Sequence, residues 1–510
     1  MKYIKVVFLA GCMVATLVAQ GTSVLVRTVA QFNQQMPKVQ PGDTIKLQNG
    51  VWTDAVLVFA PAALGTATKP IVLTAQIPGN VMLTGASQLF IGGTYLVVDG
   101  LRFEGPSTLA DGKDLIQFRK TTSGTDHNTN HSILTNCFIQ NYNPADPLTD
   151  YKWVTLYGTY NEVRNCFFKG KTNSGSTIVV IYNKTGLSPG DPSPSSYHRI
   201  HHNQFDYRTM PGSNDGESIR VGDSGSSFSP GFNVVEYNLF QNNEREVEVV
   251  TNKSCDNIYR YNTFIGNDGH MCLRHGNRCR VEGNYFYGKT GRGLSGGIRV
   301  IGEDHVVINN YMEELEGGTN SNLRAPIVVM DGQVGTALNG YYQVKNALIA
   351  FNTIVNCNGP GIWVGAKRST PYAQPLNLTL ANNLIYNIKG AGSPNTLAVY
   401  EEDAPIGKSY LTNFYVGSTT TMSGFTQTTT DALTGTGTLY RPAATSPILS
   451  QGTSAYLATT AVDLEGRTRD ALPDVGAFEH TTAQAQRSFR LSPMDVGPNW
   501  MNLSCSCLVK

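Results

Sequence analysis

Short apolar runs, each led by an asparagine and followed by polar residues or glycine, recur along most of this chain. The leading residues are Asn136, Asn165, Asn203, Asn238, Asn262, Asn284, Asn310, Asn352 and Asn383. Between Asn238 and Asn310 they stand 22 to 26 residues apart, the length of one turn in a stacked-coil architecture. The intervening segments are short and β-rich, as in Ile178-Val179-Val180-Ile181 and His305-Val306-Val307-Ile308, and are punctuated by Gly and Asn. No long segment keeps the 3.6-residue apolar period of an amphipathic helix. The pattern predicts an all-β chain wound as a right-handed parallel β-helix. Its asparagines would stack at one bend as a ladder, bonding each other and the backbone of the next coil.

The repeat also works as a ruler. Glu246 and Glu248 lie eight and ten residues past Asn238, Lys253 fifteen past it, Asn214 eleven past Asn203, and Arg274 twelve past Asn262. These residues therefore fall in one sector of three successive coils, which stack roughly 4.8 Å apart. Two acids separated by one residue on a strand point to the same face, so Glu246 and Glu248 form a candidate cation clamp while Val247 and Val249 face inward. Lys253 has the wrong parity relative to Glu248, and a bend near Thr251-Asn252 is expected to bring it to that face.

Composition narrows the options. A chain of 510 residues usually means several domains, but a solenoid grows along one axis, and we expect a single β-helix domain over 22–510 with a loop-rich C-terminal coil region. The stretch Thr412 to Thr438 is Thr-, Ser- and Gly-rich and is read as lacking the ladder. The net charge of +1 argues against a nucleic-acid partner held by bulk electrostatics. Residues 1–21 read as a secretory signal peptide: Lys2 and Lys5, then an apolar run from Val6 to Ala19, then small residues. The segment Leu9-Ala10-Gly11-Cys12 also resembles a bacterial lipoprotein box, which would tether the protein to a membrane through Cys12. Either reading takes the protein out of the cytoplasm, as a secreted or periplasmic protein or an outer-membrane lipoprotein. Of the nine cysteines, Cys137 and Cys166 follow ladder asparagines and should pack inside coils, whereas Cys272 with Cys279, and Cys505 with Cys507, are candidates for bridges. His198, His201 and His202 lack an acidic partner at ligand spacing and are read as a solvated turn.

The segments Asn214-Asp-Gly-Glu217-Ser-Ile-Arg220, Glu246-Val-Glu248-Val-Val-Thr-Asn-Lys253-Ser-Cys and Leu273-Arg274-His275-Gly276-Asn277-Arg278-Cys279 resemble polysaccharide lyase family 6, which holds alginate lyases and chondroitinase B. The likeness extends from about Val26 to Asp474-Val-Gly-Ala-Phe-Glu479. It implies a right-handed parallel β-helix, calcium held by Asn214, Glu246 and Glu248, Lys253 as catalytic base and Arg274 as catalytic acid. Arg220 and His275 are candidate substrate contacts, with a salt bridge and a packed, hydrogen-bonded histidine as their structural alternatives. The implied substrate is an anionic polysaccharide, alginate with mannuronate-containing linkages ahead of dermatan sulfate, acted on by a monomer.

The residue types suit that chemistry. Removing the C5 proton of a uronate creates a species whose charge must be neutralised. A calcium ion takes hard oxygen ligands and can hold the substrate carboxylate. Arg274 can neutralise the leaving oxygen, although guanidinium is a very weak acid and water is an alternative proton donor. Two other classes share the fold: a glycoside hydrolase would need paired carboxyls with one protonated, and a non-catalytic glycan-binding solenoid would have no use for Lys253 and Arg274 in register.

Overall fold

In the computed structural model, the described residues are 21–209, 215–244, 246–289, 291, 293–317, 323–368, 371–388, 397–435, 439–487 and 490–501. Residues 1–20, which hold Cys12 and all but the last residue of the segment read as a signal peptide, the metal-ligand candidate Asn214, and Cys505 and Cys507 lie outside them. The chain winds as a right-handed parallel β-helix with two fourteen-stranded sheets and one twelve-stranded sheet, each built from strands that recur once per coil. One coil runs through Val234–Glu236, Leu239–Gln241 and Glu248–Lys253, and the next through Ile258–Arg260, Thr263–Ile265 and His270–His275. Inward side chains form continuous columns. Phe168, Phe205, Phe240, Phe264 and Phe286 stack with centroids 5.0, 4.8, 4.7 and 4.6 Å apart, matching the rise between coils. The helix Val29–Gln35, capped by the Thr28 hydroxyl, buries Phe32 in this core at the first coil. Among the described residues no helix is long and apolar enough to cross a membrane.

The ladder forms, in a corrected register. From Asn203 through Asn238, Asn262, Asn284, Asn310, Asn352 and Asn383, each Nδ2 donates to the Oδ1 of the next at 2.9–3.1 Å, and Asn413 extends the column into the segment read as lacking it. Asn136 and Asn165 are not rungs. They take left-handed backbone at φ 51° and 49°, and their neighbours Cys137 and Cys166 occupy the ladder position. There the thiol of Cys166 donates to Arg164 O at 3.2 Å, and its backbone N–H donates to Asn203 Oδ1. All six described cysteines are free and buried, Cys272 and Cys279 included.

A second polar column runs through Asn161, His198, Asn233 and Asn257 at the neighbouring bend. His198 is therefore not part of a solvated turn. Its Nδ1 accepts from Asn161 N at 3.0 Å, and burial pushes it down to about 3. His201 is buried as well and bonds Glu162.

Beyond the last strand, Phe425–Gln427, the chain adds no further coil among the described residues. It runs back along the outside of the solenoid, donating from Thr453 N to Asn382 Oδ1, from Leu491 N to Thr263 Oγ1 and from Trp500 Nε1 to Asn136 O. Its apolar residues Ile448, Leu464, Val475 and Phe478 bury Tyr285, Tyr311 and Leu384 on the sheet beneath.

Candidate active site

The site lies on the twelve-stranded sheet, where Ile219–Gly222, Glu248–Lys253 and His270–His275 pair in parallel on three successive coils. The parity problem is solved at a different place from the one expected. Glu248 pairs with His270 and Val250 with Met271, so Val249 is an extra residue. This bulge re-aims the start of the strand. Glu248, Thr251 and Lys253 then share the outer side, and Thr251 Oγ1 donates to Glu248 Oε2 at 2.7 Å. A second irregularity leaves Arg274 extra opposite Lys253, whose register partner is His275. Arg220 stands one coil earlier, paired with Thr251.

Glu246 precedes the strand and is the most enclosed of the predicted acids, at 4% exposed. Its oxygens accept from backbone N–H groups of Gly216 at 2.9 Å, Val247 at 2.7 Å and Glu248 at 3.2 Å. The Gly216 bond ties the described segment that begins at Asp215 to Glu246. Burial, the nearby Glu217 carboxylate and Glu248 together push Glu246 up to about 8. Glu217, which the sequence reading quoted only as part of a motif, is 3% exposed and accepts from Ser176 Oγ at 2.8 Å. Its signal was present three residues after Asn214 in the same segment. Behind these acids Arg208, also buried, spends its guanidinium on the carbonyls of Lys171, Thr209, Gly175 and Asp215, which fixes the acid-bearing loop.

Among the described residues, no group of three His, Cys, Asp or Glu side chains stands at metal-holding geometry. The donor set nevertheless fits a hard divalent cation: Glu246 and Glu248 offer carboxylate oxygens, and the Glu246 carboxyl is held at a high pKa by burial and by neighbouring carboxylates.

The basic groups differ in how they are held. Among the described residues nothing forms a hydrogen bond or ion pair with the Lys253 ammonium. Arg274 is fixed: Nη1 donates to Gly340 O at 2.9 Å, Nη2 to Asn339 O at 2.8 Å, and its guanidinium lies 4.1 Å from the Tyr341 ring centroid. His275 is a packed histidine. Burial, then Arg274 and Lys253, push it down to about 2, so the neutral ring meets Arg274 through Nδ1 and Ser224 through Nε2. Arg220 makes the salt bridge that was its structural alternative, with Asp215 at 3.0 Å. The loop 334–342 that holds Arg274 was not anticipated from sequence.

The twelve-stranded sheet of this parallel β-helix thus carries acids, a lysine without a bonded partner among the described residues, and an anchored arginine on neighbouring coils. The sequence model for chondroitinase B matches residues 26–449, and the chain belongs to polysaccharide lyase family 6, a family of enzymes. Among solved structures, it is similar to the family 6 alginate lyase AlyGC, with 31% identity and a TM-score of 0.77 over 94% of this chain and 59% of that one. It thus spans just under three-fifths of that protein. It is also similar to a mannuronic acid specific family 6 lyase from human gut microbiota, with 25% identity and a TM-score of 0.66 over 80% of this chain and 91% of that one. No curated protein sequence matches.

Proposed function

We propose that the protein is an exported lyase that cleaves alginate, at mannuronate-containing linkages, by calcium-assisted β-elimination to give 4,5-unsaturated oligosaccharides. The observation that carries this reading is the register: Glu248 and Lys253 share one strand, Arg274 lies beside Lys253 on the next coil, and Glu246 stands just before that strand. Glu246 and Glu248, with Asn214 by the family resemblance, are the residues that would hold calcium. A bound calcium supplies a counter-charge for the substrate carboxylate. Lys253, with no bonded partner among the described residues, takes the C5 proton as its neutral amine and becomes the ammonium. Arg274 presents a fixed positive charge to the oxygen of the breaking glycosidic bond, with its side chain already immobilised by the 339–341 carbonyls and ring. Proton return to that oxygen comes from Arg274 or from water.

The similarity to an alginate lyase and to a mannuronic acid specific lyase supports this substrate. The chondroitinase B family match keeps dermatan sulfate as the second reading. The deciding experiment offers purified protein polymannuronate, polyguluronate, alternating alginate and dermatan sulfate, and follows ultraviolet absorbance of the conjugated product. Fastest turnover of polymannuronate is expected. Turnover of dermatan sulfate alone would transfer the assignment, and cleavage without the absorbance would replace elimination by hydrolysis.

A further inference from the structure

A groove of about 780 Å³ opens on the N-terminal side of the site, lined by Arg119, Asp126, Tyr157, Tyr182, Asn183 and Lys184 among others. It continues the row that carries Lys253. Lys253 pairs with Gly222, Val221 before it pairs with Val180, and Val180 in turn pairs near Leu156. Tyr157, Ile181, Gly222 and Lys253 therefore follow one another on successive coils, with Arg119 one coil further out against Tyr157. Four coil rises separate Arg119 from Lys253, roughly 19 Å. Gly222, at φ 83°, puts no side chain between the groove and the lysine.

The groove's cations are already presented to carboxylates. Arg119 stacks 3.9 Å from the Tyr157 ring centroid and bonds Asp126 Oδ2 through Nη1 at 2.7 Å, while its Nε has no hydrogen-bond partner. Lys184 pairs with Asp223. Both aspartates are nearly half exposed, so these pairs are individually weak and exchange with another carboxylate costs little. The loop 334–342 lies over Arg274, contacts Ser227 through Leu338 O, and seats Tyr341 on an apolar cluster of Cys272, Ile301, Val328 and Trp363.

We infer that Arg119 and Lys184 form a distal subsite for a uronate carboxylate several sugar rings from the cut, so that the bound chain extends from Lys253 toward the N-terminal coils. This inference rests on the lyase reading. Its test is the dependence of KM on chain length, measured with a series of defined oligouronates on wild type, Arg119→Ala and Lys184→Gln. Wild-type KM should fall once chains reach the groove. Each variant should flatten that fall, raising KM for the longest chains by about tenfold. Thermal unfolding checks the hairpin formed by Arg119–Thr122 and Thr125–Asn128. Should Arg119→Ala unfold that hairpin, Lys184→Gln alone carries the test. Turnover with the wild-type length dependence retained in the variants overturns the subsite alone. Absence of any turnover in the wild type overturns the lyase reading and the subsite with it.

Discussion

Glu236 and Glu246 lie ten residues apart on one coil, both buried, and the protein treats them in opposite ways. Glu236 sits between Arg260 and Arg199, each donating through Nε at 2.7 Å, and against the burial that would raise it these bonds hold it below the usual carboxylate range. Glu246 receives backbone N–H groups only, and burial with two neighbouring acids pushes it up to about 8. Where this fold needs a buried charge for structure, it supplies the counter-charge itself. Beside Lys253 the supply is thinner: Arg299 comes within 3.8 Å of Glu248 and Arg208 lies behind Glu246 and Glu217, yet neither offsets the rise at Glu246, and further positive charge is expected from a ligand. The ladder side of the solenoid makes the same point with neutral groups, since each rung both donates to and accepts from its neighbours.

The largest effect should come from the functional side. Lys253→Ala should lower the elimination rate by about two to four orders of magnitude with the unfolding midpoint unchanged. Product absorbance and a denaturant titration read the two quantities, and near wild-type activity would remove Lys253 from the mechanism. Asn262→Ala should do the reverse. It deprives Asn238 N–H and Nδ2 of their shared acceptor and should cost about 2–4 kcal/mol of stability while leaving the turnover of folded protein intact.

A third effect sharpens the contrast between the two glutamates. Because the folded state holds the Glu246 proton more tightly than the unfolded chain does, metal-free protein is favoured at low pH and loses stability as pH rises from the ordinary glutamate range toward about 8. The loss should approach about 1.4 kcal/mol per pH unit within that window. Calcium should flatten the slope. Urea midpoints with and without chelator would check this, and a slope of the opposite sign would contradict it. The smallest effect should be Cys166→Ala, at about 1 kcal/mol, because a thiol at a rung position is a weak donor.

Much of this was legible in the sequence because a solenoid repeats its register. Asn238 through Asn383 gave the coils, and counting from them placed Glu246, Glu248, Lys253 and Arg274 on neighbouring turns. The failures are local. Asn136 and Asn165 look like rungs because asparagine also tolerates the left-handed backbone one position earlier. Asn413 was lost in a Thr-rich stretch whose composition resembles a loop. The bulge at Val249 has no composition signal, so the parity break was placed two residues late. Glu217 was present in the recognised segment, but its burial beside Glu246 depends on a loop that no periodicity describes. Nothing in the repeat indicates that residues 339–341 return to hold Arg274, since that contact spans more than sixty residues.

The most direct measurement is the elimination rate on polymannuronate after exhaustive chelation, with metal content verified, followed by calcium titration. The account predicts that activity is lost on chelation and recovered with calcium, and that Glu246→Gln shifts the recovery to higher calcium. Unchanged turnover in verified metal-free protein would contradict it, and would leave these acids to pair directly with Lys253 or Arg274 instead.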